Sequence, residues 1–474
     1  MVTARLVDKE FHGVFAVMLI LVTILSMISK GGFYLALVRR KENSSKQIGF
    51  AFWISVAIGF LFSAVIFFLA EPICAFYNDV FPLGTVKLMS FYFVFYSLGL
   101  VSMALMIKDM EFKKIFIAQC GSYLIGSLGV GIYMAHQGFQ LWSLVYGFLS
   151  FILLNSVFNF LLKPHSIRFN FGKNEFLESY SFSIGISITE LLNSAASYID
   201  KLIIGKFSSM SVLAIFEKGQ QTSRLPIKIY GSVFDNIIYT SFSKLQDDEE
   251  AKRKVYLRAS SLVWIVVAFL CSFVFVYAKH IVIILLGINW LESIPILKVF
   301  ALAMPLFLLS KINDGLFRAE DKLYKASVIK LLYLIMVIAS AYSSSWLSLL
   351  ETSILLSLSY GIYVIVFIIV TCKELGISIV KYLTEMVPAI KLGILFLAIN
   401  LGMALLFSDH TGRLVMMVLC CLVQFFCVLL ILNFLPRIFG IANLKAFSSF
   451  CKSIPIIQKM LPISILKSIS QYDN

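Results

Sequence analysis

The stretch GFAFWISVAIGFLFSAVIFFLA, from Gly49 to Ala70, contains no charged side chain. An α-helix rises 1.5 Å per residue, so a helix over this stretch is long enough to cross the hydrocarbon core of a bilayer, which is roughly 30 Å thick. The rest of the chain has a similar composition. Of its 474 residues, 60% are hydrophobic and 14% are charged, whereas soluble domains carry about 25% charged residues. The sequence therefore predicts an all-α polytopic membrane protein and leaves no room for a soluble catalytic domain.

About thirteen apolar segments of span length follow one another along the chain, separated by short connectors. They cover residues 11–38, 48–77, 82–107, 115–135, 139–162, 176–200, 210–240, 257–278, 290–317, 326–342, 347–371, 386–407 and 414–436. In the tail beyond them, Lys445, Lys452 and Lys459 recur every seven residues among apolar side chains, and Pro455 and Pro462 interrupt any span. This spacing predicts an amphipathic segment on the cytoplasmic membrane surface.

Lysine and arginine are concentrated in every second connector. The connectors at 39–46, 108–114 and 244–258 are strongly basic, whereas 201–206 and 279–289 carry few basic residues. Because basic connectors stay in the cytoplasm, this alternation predicts a cytoplasmic C-terminus and an N-terminus on the outer side. The same rule accounts for the net charge of +14, which favours contact with membrane lipids and argues against nucleic-acid binding. The N-terminal residues do not have the pattern of a signal peptide.

Residues 4–15 match residues 205–216 at an offset of 201. Each segment has a basic residue, Arg5 or Lys206, then an apolar residue, a short polar linker and the start of a helix. The full span 176–200 precedes the second segment, but only a few residues precede the first. If the two halves are copies, the first lacks its opening helix and a complete protein has about fourteen spans. The alternative is that these positions match by chance.

Several charged residues lie deep inside predicted spans, where a lipid-facing position at the bilayer centre would cost each about 2.5–3.5 kcal/mol. They are Lys30, Glu190, Lys218, Arg224, Lys228, Asp235, Lys311 and Asp314. We therefore expect them to line a hydrated interior. Most other basic residues in the spans lie near a span end and can reach the membrane surface with their long side chains. Examples are Lys87, Lys298, Lys330 and Lys391.

The seventh span, 210–240, is the most polar. Lys218, Gln221 and Arg224 follow one another at intervals of three, and Lys228 lies two turns beyond Gln221. On a helix these residues share one broad face. Basic residues outnumber acidic ones among the deep charges, and this excess favours an anionic substrate such as a phosphate or diphosphate headgroup.

The alternative interpretation is that the deep charges form ion pairs that hold helices together. The pairs considered are Lys311 with Asp314 and Arg224 with Glu190. Asp200 and Asp235 are further candidates for an ion site or for ion pairs.

The deep charges are not accompanied by a catalytic, nucleotide or metal signature. Gly205 and Lys206 are followed by Phe207, so they lack the Ser or Thr of a P-loop. The five histidines are scattered among connectors, and the eight cysteines form no C-x-x-C pair. We therefore expect a transporter that needs no metal and no cofactor. A membrane glycosyltransferase or polymerase, the main enzymatic alternative, would need a larger outer loop than 279–289.

Six stretches together resemble the polysaccharide-export branch of the multidrug/oligosaccharidyl-lipid/polysaccharide flippase superfamily. The resemblance is to Wzx-type flippases, and within them to colanic-acid-exporter-like members. The stretches are ARLVDKEFHGVFA at 4–16, ALVRRKENSSKQIGFAFW at 36–53, IDKLIIGKF at 199–207, FEKGQQTSRLP at 216–226, FSKLQDDEEAKRKVYLRA at 242–259 and LLGINWLESIPILKVFAL at 285–302. Lys218, Gln221 and Pro226 occupy places where the family usually has a basic residue, Gln and Pro, whereas Arg224 matches no such place.

The resemblance implies a two-lobe helix bundle around a central cavity. The N-terminal lobe would cover 1–175 without its first helix, the C-terminal lobe 176–380, two additional helices 381–437 and the cytoplasmic tail 438–474. The implied function is to flip an undecaprenyl-diphosphate-linked oligosaccharide repeat unit across the bacterial inner membrane by alternating access. That unit would serve O-antigen, capsule or exopolysaccharide biosynthesis, with polysaccharide polymerase and export machinery as partners. The N-terminus would then be periplasmic.

The expected substrate-binding residues are Lys30, Lys218, Gln221, Arg224, Lys228 and Lys311. The alternative function is a cation-coupled multidrug exporter of the same superfamily. Such an exporter would hold cationic drugs in an apolar or acidic cavity, whereas basic residues predominate here.

Overall fold

The computed structural model describes residues 2–39, 43–78, 80–168, 197–245, 248–320 and 322–406. Within these ranges all regular secondary structure is helical, which confirms the predicted all-α class. Most of the predicted span 176–200, and all of 414–436 and the tail 438–474, lie outside the described residues. The chain forms two compact units. The N-terminal unit comprises Met1–Glu217 with Val337–Leu347, and the C-terminal unit comprises Lys218–Met336 with Ser348–Asn474.

Helices of the N-terminal unit follow the predicted spans closely. In chain order they are α1 Thr3–Leu6, α2 Lys9–Arg39, α3 Ser45–Phe68, α4 Ala70–Phe76, α5 Leu83–Ser90, α6 Tyr92–Lys108, α7 Phe112–Ser122, a π-helix Tyr123–Val130, α8 Gly131–His136, α9 Gln140–Leu162 and α10 197–207. The next helix, α11 Met210–Lys244, begins in this unit, and the boundary between the units falls after Glu217.

Helices of the C-terminal unit complete the described chain. They are α12 Glu249–Val276, α13 Ala278–Leu285, a 3₁₀-helix Ile288–Ser293, α14 Ile294–Leu302, α15 Met304–Ala319, α16 Leu323–Tyr342, α17 Leu349–Glu374 and α18 Ile379–Leu406. The end of α16, from Val337, belongs to the N-terminal unit.

Membrane-spanning helices account for most of the described residues. Among the described residues, nine helical segments are long and apolar enough to cross a bilayer. The bent pair Ile288–Leu302 and Met304–Ala319, with an angle of 43°, makes ten if it is counted as one span. The described ranges also contain α11, which covers the predicted seventh span and is 35 residues long but carries many polar side chains. The chain is therefore a multi-pass membrane protein.

Side-chain caps explain where some helices begin. The Ser44 hydroxyl accepts a hydrogen bond from the Gln47 backbone N–H, and the Gln47 side chain accepts one from the Ser44 backbone N–H. Ser348 and Glu351 form the same reciprocal cap at the start of α17. Each cap satisfies backbone donors that a first helical turn leaves without partners.

Small residues bring the helices of the N-terminal unit close together. A Cβ atom at Gly59 would lie 2.6 Å from the Ser97 hydroxyl, and one at Gly99 would lie 2.6 Å from the Ser156 Cα. The Ser156 hydroxyl donates a hydrogen bond to the Phe95 carbonyl at 2.6 Å. Helices in lipid gain little from hydrophobic burial, so close backbone approach and hydrogen bonds between helices stabilise this packing.

The C-terminal unit is organised around α12. On one side α12 packs along α18, where the Asn400 amide donates to the Ser272 hydroxyl at 3.0 Å and the Tyr277 hydroxyl donates to the Asn400 carbonyl at 3.3 Å. On another side it contacts α15, where the Tyr256 hydroxyl donates to the Asn313 side-chain oxygen at 2.9 Å. The Tyr256–Asn313 hydrogen bond holds α15 against α12. Two of the predicted site residues, Lys311 and Asp314, lie on α15.

The order of elements repeats along the chain. A long helix, α3 or α12, is followed by a short one, α4 or α13, and then by a pair of helices that are separated by a single residue, Phe91 or Ala303. The preceding helices α2 and α11 begin 201 positions apart, at Lys9 and Met210, which is the offset found between 4–15 and 205–216.

Candidate functional site

Predicted site residues on α11 and α15 lie in the C-terminal unit. Lys218 and Arg224 on α11 and Lys311 and Asp314 on α15 are half-buried, and Gln221 is exposed. Lys218 and Lys311 have interaction partners of their own. The side chains of Lys30, Lys228 and Asp235 lie outside the described part of the structure, although their backbones belong to α2 and α11, and Glu190 lies outside it entirely.

Arg224 interacts with an aromatic ring. Its guanidinium carbon lies 4.8 Å from the centre of the Phe307 ring, which belongs to α15. The Arg224 Nε is buried and has no hydrogen-bond partner among the described residues. A cation over an aromatic face is stabilised without using its N–H donors, and the Nε donor of this guanidinium stays unsatisfied among the described residues.

Phe307 and Ser310 on α15 both contact Tyr360 on α17. The Phe307 ring lies 4.3 Å from the Tyr360 ring, measured between centroids. The Tyr360 hydroxyl shares a hydrogen bond of 2.7 Å with Ser310. The structure therefore brings Arg224 together with Phe307, Ser310 and Tyr360, and we call these four residues the arginine–aromatic cluster.

Asp314 forms an ion pair with Lys330. The Lys330 Nζ lies 2.9 Å from the Asp314 Oδ1, and the two side chains are 30% and 25% exposed. The sequence interpretation assigned Lys330 to the membrane surface and considered Lys311 as the partner of Asp314, so it missed this pair. Lys330 lies on α16 and Asp314 on α15, and only the packing of these helices places the two charges together.

Asp200, a predicted ion or ion-pair residue, lies on α10 in the N-terminal unit. Its side chain is buried, and its Oδ1 accepts a hydrogen bond of 2.8 Å from the Lys201 backbone N–H. The Lys201 side chain is also buried, with its ammonium 5.6 Å from the centre of the Tyr198 ring. Asp200 thus takes part in a local hydrogen bond on α10 of the N-terminal unit.

Two clusters of ion pairs lie at the ends of helices, outside the candidate site. In the N-terminal unit the Lys163 Nζ lies 2.6 Å from Asp109 and 3.1 Å from Glu111, and Lys114 lies 2.8 Å from Glu111. Hydrogen bonds from Lys114 and Lys163 lower the pKa of Glu111. We call these four residues the N-terminal clasp.

In the C-terminal unit, Glu374 lies 2.7 Å from Lys322 and 2.5 Å from Lys325. Glu320 lies 2.7 Å from Lys322 and 3.0 Å from the buried Lys252. Burial raises the pKa of Glu320, but hydrogen bonds from Lys322 and Lys252 outweigh it, so the pKa lies below its ordinary value. We call these five residues the C-terminal clasp.

Groups of three or more metal-ligating side chains do not occur among the described residues. The arginine–aromatic cluster instead offers donors to an anion. A half-buried guanidinium with a buried Nε can form charge-assisted hydrogen bonds to phosphate oxygens, each worth about 1.5–3 kcal/mol.

Comparison with known proteins gives a family match. A family model described as "Polysaccharide biosynthesis protein" matches residues 2–295, which is more than half of the chain. Among curated proteins, the chain is similar to the succinoglycan biosynthesis transport protein ExoT of Rhizobium meliloti, with 22% identity over 64% of this chain and 61% of the relative. It is also similar to the lipopolysaccharide biosynthesis protein WzxC of Escherichia coli, with 23% identity over 63% of this chain and 61% of the relative. The match thus spans about three-fifths of the length of each relative.

Solved structures share the fold at low sequence identity. The lipid II flippase MurJ in an inward closed conformation has a TM-score of 0.66 at 14% identity, over 88% of this chain and 92% of that chain. An inward-facing multidrug resistance MATE family transporter has a TM-score of 0.64 at 12% identity, over 79% of this chain and 91% of that chain. These similarities establish the fold of the chain and do not identify its substrate.

Proposed function

We propose that this chain, which belongs to the polysaccharide biosynthesis protein family, is a flippase for a lipid-linked oligosaccharide. The substrate is an undecaprenyl-diphosphate-linked repeat unit, moved from the cytoplasmic to the periplasmic leaflet of a bacterial inner membrane by alternating access. The names of two relatives, a succinoglycan biosynthesis transport protein and a lipopolysaccharide biosynthesis protein, support this substrate class. Polysaccharide polymerase and export machinery would be its partners.

The observation that carries the proposal is the environment of Arg224. Its guanidinium is held by the Phe307 ring and its Nε lacks a partner among the described residues. A structural arginine inside a membrane protein is usually paired with a carboxylate or with backbone carbonyls. An arginine with an unsatisfied donor is suited to an anionic ligand that arrives and leaves. A diphosphate can replace lost hydration with charge-assisted hydrogen bonds from this group.

Asp314, the predicted acidic residue on α15, does not offset the positive charge of Arg224. Asp314 is held by Lys330 at 2.9 Å, so the charge of its carboxylate is balanced within its own pair. Together, Arg224, Asp314 and Lys330 carry a net charge of +1, so the surroundings of Arg224 are net positive. A multidrug exporter for cations requires the opposite sign, which makes that alternative the weaker one.

Ligand-dependent stability of the purified protein tests the substrate class. A ligand that binds the folded state raises the thermal midpoint by mass action. We expect undecaprenyl diphosphate to raise the midpoint in detergent, undecaprenyl monophosphate to raise it less, and the cationic dye ethidium to leave it unchanged. The Arg224→Glu variant should lose the response to the diphosphate. Lys254→Glu, a reversal at a side chain that is 61% exposed on α12, should keep it.

A protein that ethidium stabilises and undecaprenyl diphosphate does not would be an exporter of cations, contrary to the proposal. An equal response of the native protein and the Arg224→Glu variant to the diphosphate would remove Arg224 from the binding site.

A further inference from the structure

Phe307, whose ring holds Arg224, is itself held by Tyr360. The centroids of the Phe307 and Tyr360 rings lie 4.3 Å apart, with an interplanar angle of 40°. Phe307 lies on α15 and Tyr360 on α17, so this contact joins two helices of the C-terminal unit. The place of the Phe307 ring, 4.8 Å from the guanidinium carbon of Arg224, therefore depends on where the Tyr360 ring lies.

A chain of two hydrogen bonds fixes the hydroxyl end of Tyr360. The Ser310 hydroxyl donates to the Phe307 carbonyl at 2.9 Å. A serine hydroxyl has one proton to donate, so Tyr360 is the donor in its hydrogen bond of 2.7 Å with Ser310. Tyr360 therefore contacts α15 twice, through its ring at Phe307 and through its hydroxyl one turn later at Ser310.

Two further tyrosines pack around the Tyr360 ring. The ring of Tyr333 on α16 lies 5.3 Å from it at an angle of 82°, and the ring of Tyr363 on α17 lies 5.5 Å from it at 56°. Tyr333 and Tyr363 also contact each other at 4.8 Å. Packed aromatic rings favour definite relative orientations. Ring contacts and the hydrogen bond to Ser310 thus restrict the movement of Tyr360.

The guanidinium of Arg224 needs a fixed neighbour. An arginine side chain that rotates freely loses rotamer entropy when a ligand immobilises it, and this loss weakens binding. The Arg224 Nε has no hydrogen-bond partner among the described residues, so the contact with the Phe307 ring is the observed support of this group. A ring that Tyr360 keeps in place can hold the guanidinium before the ligand arrives.

We propose that Tyr360 is a positioning residue for substrate binding. Together with Ser310 it fixes the Phe307 ring, and the fixed ring holds Arg224 in place for the phosphate oxygens of the substrate. The Tyr360 hydroxyl acts through Phe307 and Arg224 and does not itself touch the ligand. This inference rests on the proposed function, because it names the residues that prepare the proposed anion site.

Binding of undecaprenyl diphosphate to the purified full chain in detergent separates this role from a structural one. The dependence of the thermal midpoint on ligand concentration gives the dissociation constant, and the midpoint without ligand gives the stability. Tyr360→Phe keeps the ring and removes the hydroxyl, and Ser310→Ala removes its acceptor. Tyr277→Phe is the matched control, because it removes a tyrosine hydroxyl that donates to Asn400 between α12 and α18.

We expect Tyr360→Phe and Ser310→Ala each to raise the dissociation constant about 3- to 10-fold, in line with the loss of one neutral hydrogen bond. The double variant should bind no more weakly than the weaker of the two single variants, because both changes break the same hydrogen bond. Tyr277→Phe should lower the midpoint without ligand and leave the dissociation constant unchanged.

A second set of variants tests the route through Phe307. Phe307→Leu keeps an apolar side chain but removes the ring, so it should weaken binding at least as much as Tyr360→Phe does. Adding Tyr360→Phe to Phe307→Leu should weaken binding no further, because the ring through which Tyr360 acts is already gone.

Native affinity in Tyr360→Phe would overturn the positioning role while leaving the proposed function intact. A full further loss when Tyr360→Phe is added to Phe307→Leu would overturn it as well, and so would an equal loss of affinity in the Tyr277→Phe control. If undecaprenyl diphosphate stabilises neither the native chain nor Tyr277→Phe, the proposed function fails and this inference fails with it.

Discussion

For Arg224, the sequence predicts a charge deep in a span but does not predict its interaction partner. Its position in an apolar span marks it as a deep charge, because an isolated arginine at the bilayer centre is costly. The Phe307 ring that holds it lies 83 positions away along the chain and is one of 44 phenylalanines. The sequence could therefore predict the charge, but its Phe307 partner and its unsatisfied Nε became visible only in the packed structure.

The Asp314–Lys330 pair gives a testable prediction about stability. Asp314→Lys alone places two ammonium groups together, and Lys330→Asp alone places two carboxylates together. We expect each to lower the free energy of unfolding by about 1–3 kcal/mol, a range reduced from that of fully buried pairs because both side chains are partly exposed.

The double exchange Asp314→Lys/Lys330→Asp restores the pair and should recover most of the loss in thermal midpoint. If the two single losses simply add in the double variant, the residues are not coupled and the pair is not a structural one.

Glu320 gives a prediction on pH. Its pKa is lower in the folded protein than its ordinary value of 4.5, because hydrogen bonds from Lys322 and Lys252 outweigh burial. A carboxyl with a lowered folded-state pKa binds its proton more readily when unfolded, so its stabilising effect is present above about pH 4.5 and is lost as the pH falls through the folded-state value.

We expect Glu320→Gln to lower the thermal midpoint at pH 7, because the variant loses the charge-assisted hydrogen bonds of the carboxylate. Its stability should also fall less steeply between pH 5 and pH 3, because the titrating carboxyl is gone. Thermal unfolding in detergent across this range measures both effects. An unchanged slope, with the same loss at every pH, would mean that Glu320 is not the titrating group.

At the scale of elements, hydropathy predicted where spans occur and missed where they break. The predicted span 290–317 is a bent pair of helices that meet at Ala303. Pro305 stands at the first turn of the second helix, where a missing backbone donor costs nothing, and proline disfavours a helix that runs through it. The predicted span 82–107 likewise divides at Phe91. Apolar composition continues across both breaks, so a span-length window could not detect them.

The contact between α2 and the start of α11, within the N-terminal unit, depends on the absence of a side chain. A Cβ atom at Gly13 would lie 1.9 Å from the Met210 carbonyl oxygen. Gly13→Ala therefore forces the two backbones apart, and we expect a loss of about 1–3 kcal/mol in the free energy of unfolding.

Gly361→Ala on α17 is the matched control, because its Cβ would meet only the Leu306 Cδ1 at 3.6 Å, an ordinary contact. In a helix this change should be neutral or stabilising by up to about 1 kcal/mol. Equal thermal midpoints for the two variants would argue against the close approach at Gly13.

For the whole molecule, the sequence predicted the class and most spans, because bilayer thickness constrains them directly. It predicted the family through the resemblance carried by six stretches. The proposed two-lobe cavity, the orientation of the termini and the domain bounds remain predictions. The Asp314–Lys330 pair and both clasps were missed, since ion pairs between separate helices leave no local pattern.

Transport by the purified protein tests the central claim most directly. Proteoliposomes would contain the native chain and a fluorescent undecaprenyl-diphosphate-linked sugar, and an impermeant quencher would report how fast the headgroup changes leaflet. We predict flipping by the native chain and by Lys254→Glu, its loss in Lys218→Glu/Arg224→Glu, and greater residual activity in Arg224→Lys than in Arg224→Gln. Native flipping rates in the Lys218→Glu/Arg224→Glu protein, at equal reconstitution, would contradict the cationic-site mechanism.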